Sequence, residues 1–296
     1  MTTLDALLHA LAERFDAADL VYGHGTDNAW DEAVALALGV LDWPDDATQL
    51  QREVSEQDRA QIEALARRRV DERMPVPLLL GRATFAGRWF HIAPGVMVPR
   101  SPIAALVGTG FRPWLQHSPS RILDLCCGNG CIGISAALAF PAARLWLQDI
   151  DADARALARR NLELHGLTAR ASVVGGSLFE DIVVGEAFDL ILSNPPYVPS
   201  VDSDARPAEF RFEPDRAFDG GPEGLDVVAP LLAGSAGRLS TAGLLVVEVG
   251  QLRAAVEAAW PVTPFLWPHL EAGGEGVFVL DAAGLAAHTS RPEFGQ

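Results

Sequence analysis

Two stretches that follow strand-like runs carry residue types suited to ligand binding. "DLCCGNGCIG" (124–133) places Gly128 and Gly130 ahead of a helix pattern, so backbone can approach a ligand near a helix N-terminus. "LQDID" places Asp149 roughly 20 residues further on, where a carboxylate accepts hydrogen bonds from a ribose diol. A lone Gly-x-Gly also fits tight packing or a dinucleotide loop. We assign the ribose role to Asp149 and a helix N-cap to Asp151, which directly precedes "ADARALARRN".

A third stretch, "SNPPYVPS" (193–200), ends the apolar run "FDLILS" with an amide, two prolines and a tyrosine. Proline fixes its own φ and pushes the preceding residue towards extended geometry, so Asn194, Pro195, Pro196 and Tyr197 form a stiff, non-helical corner. An ordinary turn is the simpler interpretation of these four residues alone, because Asn-Pro pairs often begin turns.

The elements around these stretches predict how they meet. From residue 121 strand and helix patterns alternate, which indicates an α/β protein with a mostly parallel, doubly wound sheet. Late strands are predicted at "GLLVVEVG" (243–250), "TPFLWPHL" (263–270) and "GVFVLD" (276–281). Ligands bind such sheets outside the carboxyl ends of the strands. Before residue 82 the chain predicts amphipathic helices, the first with an apolar stripe that we interpret as plain core. The segment 82–101 alternates like a β-hairpin.

Composition narrows the class of protein. With 49% hydrophobic and 21% charged residues the chain is typical of a globular protein. It has no apolar run long enough for a membrane span and no basic, signal-like start, so we expect a cytoplasmic protein. A net charge of -16 disfavours nucleic acid and favours a basic protein partner. Cys126, Cys127 and Cys131 lack a fourth ligand nearby, so we predict small buried side chains and no metal.

Three motifs in order carry a family resemblance: "MVPRSPIAALV" (97–107), "NPPYV" (194–198) and "PAEFRFEPDRAFDGGPEGL" (207–225). The chain resembles the protein-glutamine N5-methyltransferase family over nearly its whole length. This resemblance implies a class I S-adenosylmethionine-dependent methyltransferase fold, Rossmann-like, with a mostly parallel seven-stranded sheet. It also implies three parts: an N-terminal helical substrate-recognition domain (1–81), a hairpin linker (82–101) and the methyltransferase domain (102–296).

One branch of this family modifies a glutamine of protein three of the large ribosomal subunit, and another the Gly-Gly-Gln glutamine of peptide release factors. Ser101-Pro102-Ile103-Ala104 after Arg100 is similar to the ribosomal-protein branch, as are "YGHGTDNAWDEAVAL" (22–36) and "GGEGVFVL" (273–280). A DNA adenine methyltransferase would carry a basic recognition region, and a dehydrogenase leaves the corner unexplained. A non-catalytic assembly factor remains the alternative from another class.

The resemblance also implies roles for individual residues. Asn194 and the carbonyl of Pro195 would accept hydrogen bonds from the glutamine amide, Pro196 would stiffen the corner, and Tyr197 would pack on the amide plane. The residues implied to contact S-adenosylmethionine are Asp124, Cys126, Cys127, Gly128, Asn129, Gly130, Asp149, Ile150, Ser177, Leu178 and Asn194.

Two of these depart from the family pattern. Cys126 replaces a glycine, so we expect no positive φ there, and Ser177 replaces an aspartate near the adenine. We assign no catalytic role to His24 or Arg100, and the arginines at 67–69 are interpreted as a solvated helix face.

Overall fold

The computed structural model describes residues 2–183, 185–270 and 276–289. Its N-terminal part is helical, with α1 (Leu4–Ala17), α2 (Ala29–Leu41), α3 (Glu56–Asp71), α4 (Val76–Leu80) and two short paired strands, β1 (Thr2–Thr3) and β2 (Glu53–Val54). Thr3, Asn28 and Ser55 cap the first three helices with side-chain oxygens. The apolar stripe of α1 is buried in a core shared with α2 and α3, as predicted.

The interpretation of the arginines at 67–69 as a solvated helix face is wrong for Arg69. Its side chain is almost fully buried, and its Nε donates to Glu32 Oε1 at 2.6 Å. A second nitrogen, Nη2, donates to the carbonyl of Val21 at 3.0 Å. The charge pattern could not reveal this, because the anionic partner is 37 residues away on another helix. Arg67 and Arg68 are exposed.

A hairpin follows the helices, formed by β3 (Arg82–Phe85) and β4 (Arg88–His91) with Arg82 opposite His91. The hairpin is shorter than the predicted 82–101, because its second strand ends at His91. Pro94 and Pro99 lie in the irregular segment 92–101 and cannot donate ladder hydrogen bonds. This segment instead passes along the carboxyl edge of the main sheet, where several of its residues line a cavity.

The remaining chain forms the main sheet and the helices on its faces. The strands are β5 (Arg121–Leu125), β6 (Arg144–Gln148), β7 (Ala171–Val174), β8 (Phe188–Ser193), β9 (Leu239–Glu248) and β10 (Val277–Asp281). The helices are α5 (Ile103–Gly108), α6 (Cys131–Ala139), α7 (Ala152–Leu164), α8 (Ser200–Asp204), α9 (Val228–Ala236), α10 (Arg253–Ala259) and α11 (Ala282–Thr289), and 3-10 turns lie at Ala47–Gln49, Thr168–Arg170, Ala208–Phe212, Asp215–Ala217 and Gly250–Leu252.

The strand order is β10-β9-β8-β5-β6-β7, with only β10 antiparallel within this sheet. The α/β class and the mostly parallel sheet are therefore confirmed. The described residues give six strands where seven were predicted; in the predicted strand "TPFLWPHL", Leu266 makes a single antiparallel bridge to Val279. Apolar clusters cover both faces of the sheet.

The chain order reverses at β5, which pairs with β6 on one side and β8 on the other. Ligands bind doubly wound sheets in the crevice at this point. The fold therefore brings the ends of β5, β6 and β8 to one edge. Part of "GGEGVFVL", the three residues 273–275, lies outside the described residues, as do 290–296 of the predicted domain. No helix within the described ranges combines the length and apolar character that crossing a bilayer needs.

Candidate active site

A cavity of about 360 Å³ lies at the carboxyl ends of β5, β6 and β8. Ten of the residues predicted for the site line it: Cys126, Cys127, Gly128, Asn129, Asp149, Ile150, Ser177, Leu178, Asn194 and Pro196. Four others do not: Asp124, Gly130, Pro195 and Tyr197. Many of the lining residues without a predicted role come from the segments 95–101 and 214–219, among them Arg100 and Arg216.

The loop after β5 turns sharply towards α6. Cys126 has φ 55°, so the expectation that this residue avoids positive φ is wrong. Gln148 holds the turn: its carbonyl accepts from the Cys127 N–H at 3.0 Å, and its side-chain oxygen accepts from the Cys126 N–H at 3.4 Å. A non-glycine residue in the left-handed region costs about 1–2 kcal/mol, so these bonds help to offset strain at Cys126. The sequence signal for Gln148 is a polar residue closing an apolar strand.

Asp149 is bound to this loop. Its Oδ2 accepts from the Gly128 N–H and its Oδ1 from the Asp151 N–H, both at 2.8 Å. Burial raises the pKa of Asp149, the two backbone hydrogen bonds oppose the rise, and the neighbouring Asp151 adds to it. Each carboxylate oxygen has a second lone pair, so the group can still accept from a ligand.

Asp151 is the N-cap of α7, as predicted, with Oδ1 accepting from the Asp153 N–H at 2.8 Å. Its Oδ2 pairs with Arg216 Nη2 at 2.8 Å. Arg216 comes from the segment 214–219, so this ion pair joins that segment to α7 beside the cavity.

Asp124 lies inside β5 and points to α6. Its Oδ2 accepts from the Gly133 N–H at 2.8 Å, and a Cβ at Gly133 would lie 2.7 Å from the Asp124 Cβ. Burial raises the pKa of Asp124 to about 8, while the Gly133 bond lowers it and Asp149 raises it. Asp124 therefore holds β5 against α6, behind the cavity.

The Asn-Pro-Pro-Tyr corner follows β8 and is tied to β5, because Ser193 Oγ donates to the Leu125 carbonyl at 2.9 Å. Asn194 is half-buried and lines the cavity. Within the described ranges its side-chain amide has no hydrogen-bond partner, so this amide is available to a ligand.

Tyr197 is held from two sides. Its hydroxyl donates to Glu248 Oε1 at 2.8 Å, and Glu248 Oε2 accepts from Ser101 Oγ at 2.5 Å. A Cβ at Gly250 would lie 2.6 Å from Tyr197 Cε2, so this glycine lets the ring pack on the backbone after β9. Burial, with Glu248 adding to it, raises the pKa of Tyr197 above its usual range, so the phenol stays neutral.

Sequence reasoning missed a buried charge cluster at Glu213. Its carboxylate accepts from the Val98 N–H at 2.6 Å, from Arg100 Nη1 and Nη2 at 2.8 Å each, and contacts His24 Nε2 at 3.1 Å. Burial raises the pKa of Glu213, but His24 and Arg100 outweigh it and the net shift is downwards. Three distant stretches, all inside the quoted motifs, meet here.

Within the described part of the chain no group of three or more His, Cys, Asp or Glu side chains is placed to hold a metal ion. The three cysteines are free thiols, and burial raises the pKa of each. They act as small side chains around the cavity, which all three line.

The sheet order, the glycine loop after β5 and the site at the strand ends define a methyltransferase of class I. A family model described as "Methyltransferase small domain" matches residues 111–209. The solved hMettl16 catalytic domain in complex with MAT2A 3'UTR hairpin 1 shares this fold, with TM-score 0.55 and 13% identity over 84% of this chain and 91% of that chain.

Two curated relatives identify the particular family. The ribosomal protein uL3 glutamine methyltransferase of Bordetella pertussis is 40% identical over 95% of each chain. That of Neisseria gonorrhoeae is 38% identical over 95% of this chain and 94% of the relative. The chain belongs to the ribosomal protein uL3 glutamine methyltransferase family, which confirms the predicted resemblance and branch.

Proposed function

We propose that this protein transfers a methyl group from S-adenosylmethionine to the side-chain amide nitrogen of a glutamine in ribosomal protein uL3. One observation carries the proposal: Asn194, whose side-chain amide has no partner among the described residues, lines the same cavity as the glycine loop and Asp149. The two curated relatives carry this activity in their names, and they match nearly the whole chain.

The residues around the cavity fit this cofactor. A Cβ at Gly128 would meet no protein atom within 4 Å, so the loop backbone is open to a ligand there. We assign the methionine part to the loop from Cys126 to Gly130, the ribose hydroxyls to Asp149, and the adenine to Leu178. Ile150 and Ser177 border the adenine in this arrangement. Asp124 contributes indirectly, by fixing α6 to β5.

The bound cofactor supplies an electrophilic methyl group on a sulfonium. An amide nitrogen is a weak nucleophile, because its lone pair is delocalised into the carbonyl. In this proposal the Asn194 side-chain oxygen and the Pro195 carbonyl accept the two amide hydrogens and orient the nitrogen. In intramolecular model reactions, such positioning lowers the activation barrier by roughly 7–11 kcal/mol. The same acceptors would stabilise the positive charge that grows on nitrogen as the methyl leaves the sulfonium sulfur, and one amide proton would then pass to solvent.

Tyr197 is proposed to support the substrate amide plane. The Glu248 hydrogen bond and the Gly250 contact fix its ring before substrate arrives. Pro196 fixes the backbone between Asn194 and Tyr197, so the two side chains keep one relative orientation. A preorganised corner loses less conformational entropy when the amide binds.

This assignment of the site implies a role for each part of the chain. We propose that residues 1–81 recognise the protein substrate, that residues 82–101 link the two domains, and that residues 102–296 bind the cofactor and catalyse methyl transfer. The reaction needs no membrane and no DNA, and we place it in the cytoplasm, where ribosomal proteins are available.

Product analysis tests the function. Purified protein is incubated with labelled S-adenosylmethionine and isolated ribosomal protein uL3, and mass spectrometry locates the label. We expect one methyl group on a glutamine side chain. A release factor carrying Gly-Gly-Gln serves as the competing substrate. Label found only on that factor, or on neither protein, contradicts the proposal.

A further inference from the structure

A second cavity, of about 750 Å³, lies in the N-terminal part between α2, α4 and the β3–β4 hairpin. We call it the helix–hairpin groove. Its apolar floor consists of Val34, Ala35, Leu38, Val76, Pro77 and Leu80. Its other walls include Trp43, Trp89 and three carboxylates, Asp31, Asp42 and Asp45, all three on exposed residues.

The charge of this groove is unbalanced. Asp42 Oδ1 pairs with Arg82 Nη2 at 3.1 Å, and Arg82 also lies over the Trp89 ring, 4.6 Å from its centroid. Asp31 and Asp45 have no cationic partner in the part of the chain that the structure describes, although Asp31 Oδ2 accepts a hydrogen bond from the neutral Asn28 side chain at 2.8 Å. Both tryptophan rings are already covered by arginines of this chain, since Arg52 lies 3.8 Å from the Trp43 centroid. The two exposed carboxylates beside the apolar floor therefore carry the selectivity: they suit lysine and arginine side chains, whose stems are apolar and whose heads bind carboxylates.

The groove adjoins the candidate active site. Pro99 lines both cavities. His24 lines the groove and Arg100 lines the active-site cavity, and both contact the same buried carboxylate, Glu213. The two cavities therefore share Pro99 in their walls, and their linings are joined through Glu213.

We propose that the helix–hairpin groove docks a basic, partly apolar segment of the ribosomal protein substrate, and that this contact adds to substrate affinity. The inference rests on the proposed function. Charge complementarity selects the occupant: ribosomal proteins bind the phosphate backbone of RNA and are rich in lysine and arginine, whereas this chain carries a net charge of -16.

The charge test uses the double variant Asp31→Asn/Asp45→Asn. Its control, Asp71→Asn/Glu163→Gln, removes two exposed carboxylates that do not line the groove and that form no ion pair with any described residue. We expect the groove variant to raise KM for uL3 by roughly three- to tenfold with kcat unchanged, the scale of two exposed ion pairs. The control should change KM by less than about twofold. Equal effects in the two variants would overturn the groove assignment.

A steric test avoids any change of charge. Thr84 is exposed on β3 and lines the groove, so Thr84→Trp should narrow it, on a strand position that favours aromatic residues. Thr84→Ser is the control. We expect weaker calorimetric affinity for uL3 with Thr84→Trp and unchanged affinity for S-adenosylmethionine. Unchanged affinity for uL3 would overturn the proposal.

Two further outcomes separate the hypotheses. Wild-type protein that binds uL3 through the groove without methylating it contradicts the proposed function and leaves the docking surface supported. A wild-type dimer that Thr84→Trp dissociates, measured by sedimentation, would identify a second copy as the occupant and overturn the proposal.

Discussion

Asp149 combines two tasks that a single carboxylate can perform together. It holds the loop through the Gly128 and Asp151 N–H groups, and its remaining lone pairs are free for the ribose hydroxyls. Cofactor binding and loop geometry are therefore coupled at this residue. Substitutions must be chosen to separate the two tasks.

Asp149→Ala should weaken S-adenosylmethionine binding by roughly 1.5–3 kcal/mol, the range for hydrogen bonds to a charged group. Asp149→Asn keeps one acceptor and should lose less. Asp153→Ala, an exposed carboxylate in the first turn of α7, is the control. Isothermal titration calorimetry measures all three. If Asp149→Ala bound S-adenosylmethionine with wild-type affinity, the ribose hydroxyls would have to bind another residue.

At the scale of single residues, contacts between sequence neighbours were predictable and contacts between distant residues were not. The cap at Asp151 follows from one local rule, because its partner is two residues away. The positive φ of Cys126 and the burial of Arg69 do not, because each depends on a distant partner: Gln148 for the first and Glu32 for the second. Glu213 was missed for the same reason, since its partners lie 113 to 189 residues away.

The contact between β5 and α6 controls the position of the glycine loop. Gly133 lets the helix approach the strand, and Asp124 completes the contact with a hydrogen bond to its N–H. A buried carboxyl whose pKa is about 8 is mostly protonated at neutral pH. The element pair is thus held by a neutral acid, not by a buried charge.

This state predicts a pH dependence of stability. The pKa of Asp124 is higher in the folded protein than the ordinary value of 3.8, so its contribution is complete at low pH. It is lost as pH rises from the ordinary value through about 8, by on the order of a few kcal/mol. Asp124→Asn should fold and should show a shallower decline over that window.

Urea unfolding of both proteins across this range measures the difference. Parallel pH profiles for wild type and Asp124→Asn would contradict the raised pKa. Because Asp124 does not line the cavity, the affinity of Asp124→Asn for the cofactor should stay within about threefold of wild type.

The order of elements was predictable because strand and helix periods differ and the parallel βαβ connection is restrictive. The end of the hairpin and the strands at the edge of the sheet were less predictable. Pro94 and Pro99 follow the early end of the second hairpin strand, and the predicted strand "TPFLWPHL" makes, among the described residues, a single bridge at Leu266. Edge pairing depends on contacts that local sequence does not encode.

At the scale of the whole molecule, the charge of -16 is the dominant feature. The loop between α1 and α2 meets the methyltransferase part at Glu213, through His24, and both cavities are lined by partners of Glu213. A basic protein approaching this side is attracted before any contact forms.

The association rate with uL3 should therefore fall as ionic strength rises, because salt screens the attraction while leaving packed contacts largely intact. Stopped-flow measurements over a series of salt concentrations give the slope. The Asp31→Asn/Asp45→Asn and Asp71→Asn/Glu163→Gln variants should both flatten it slightly, since both change the net charge equally. A rate independent of salt would remove electrostatic steering from the account.

The central claim is that Asn194 orients an amide nitrogen for methylation, and the single-turnover rate of Asn194→Ala tests it most directly. Preformed complexes with labelled S-adenosylmethionine are mixed with excess uL3, and label transfer is followed in time. We expect a loss of about 2.7–4 kcal/mol of transition-state stabilisation, by comparison with the loss of one oriented oxyanion-hole donor. Cofactor affinity should change less, and Asn194→Asp, which keeps an acceptor, should retain partial activity. A near-normal rate for Asn194→Ala would show that the corner is only a turn and contradict the account.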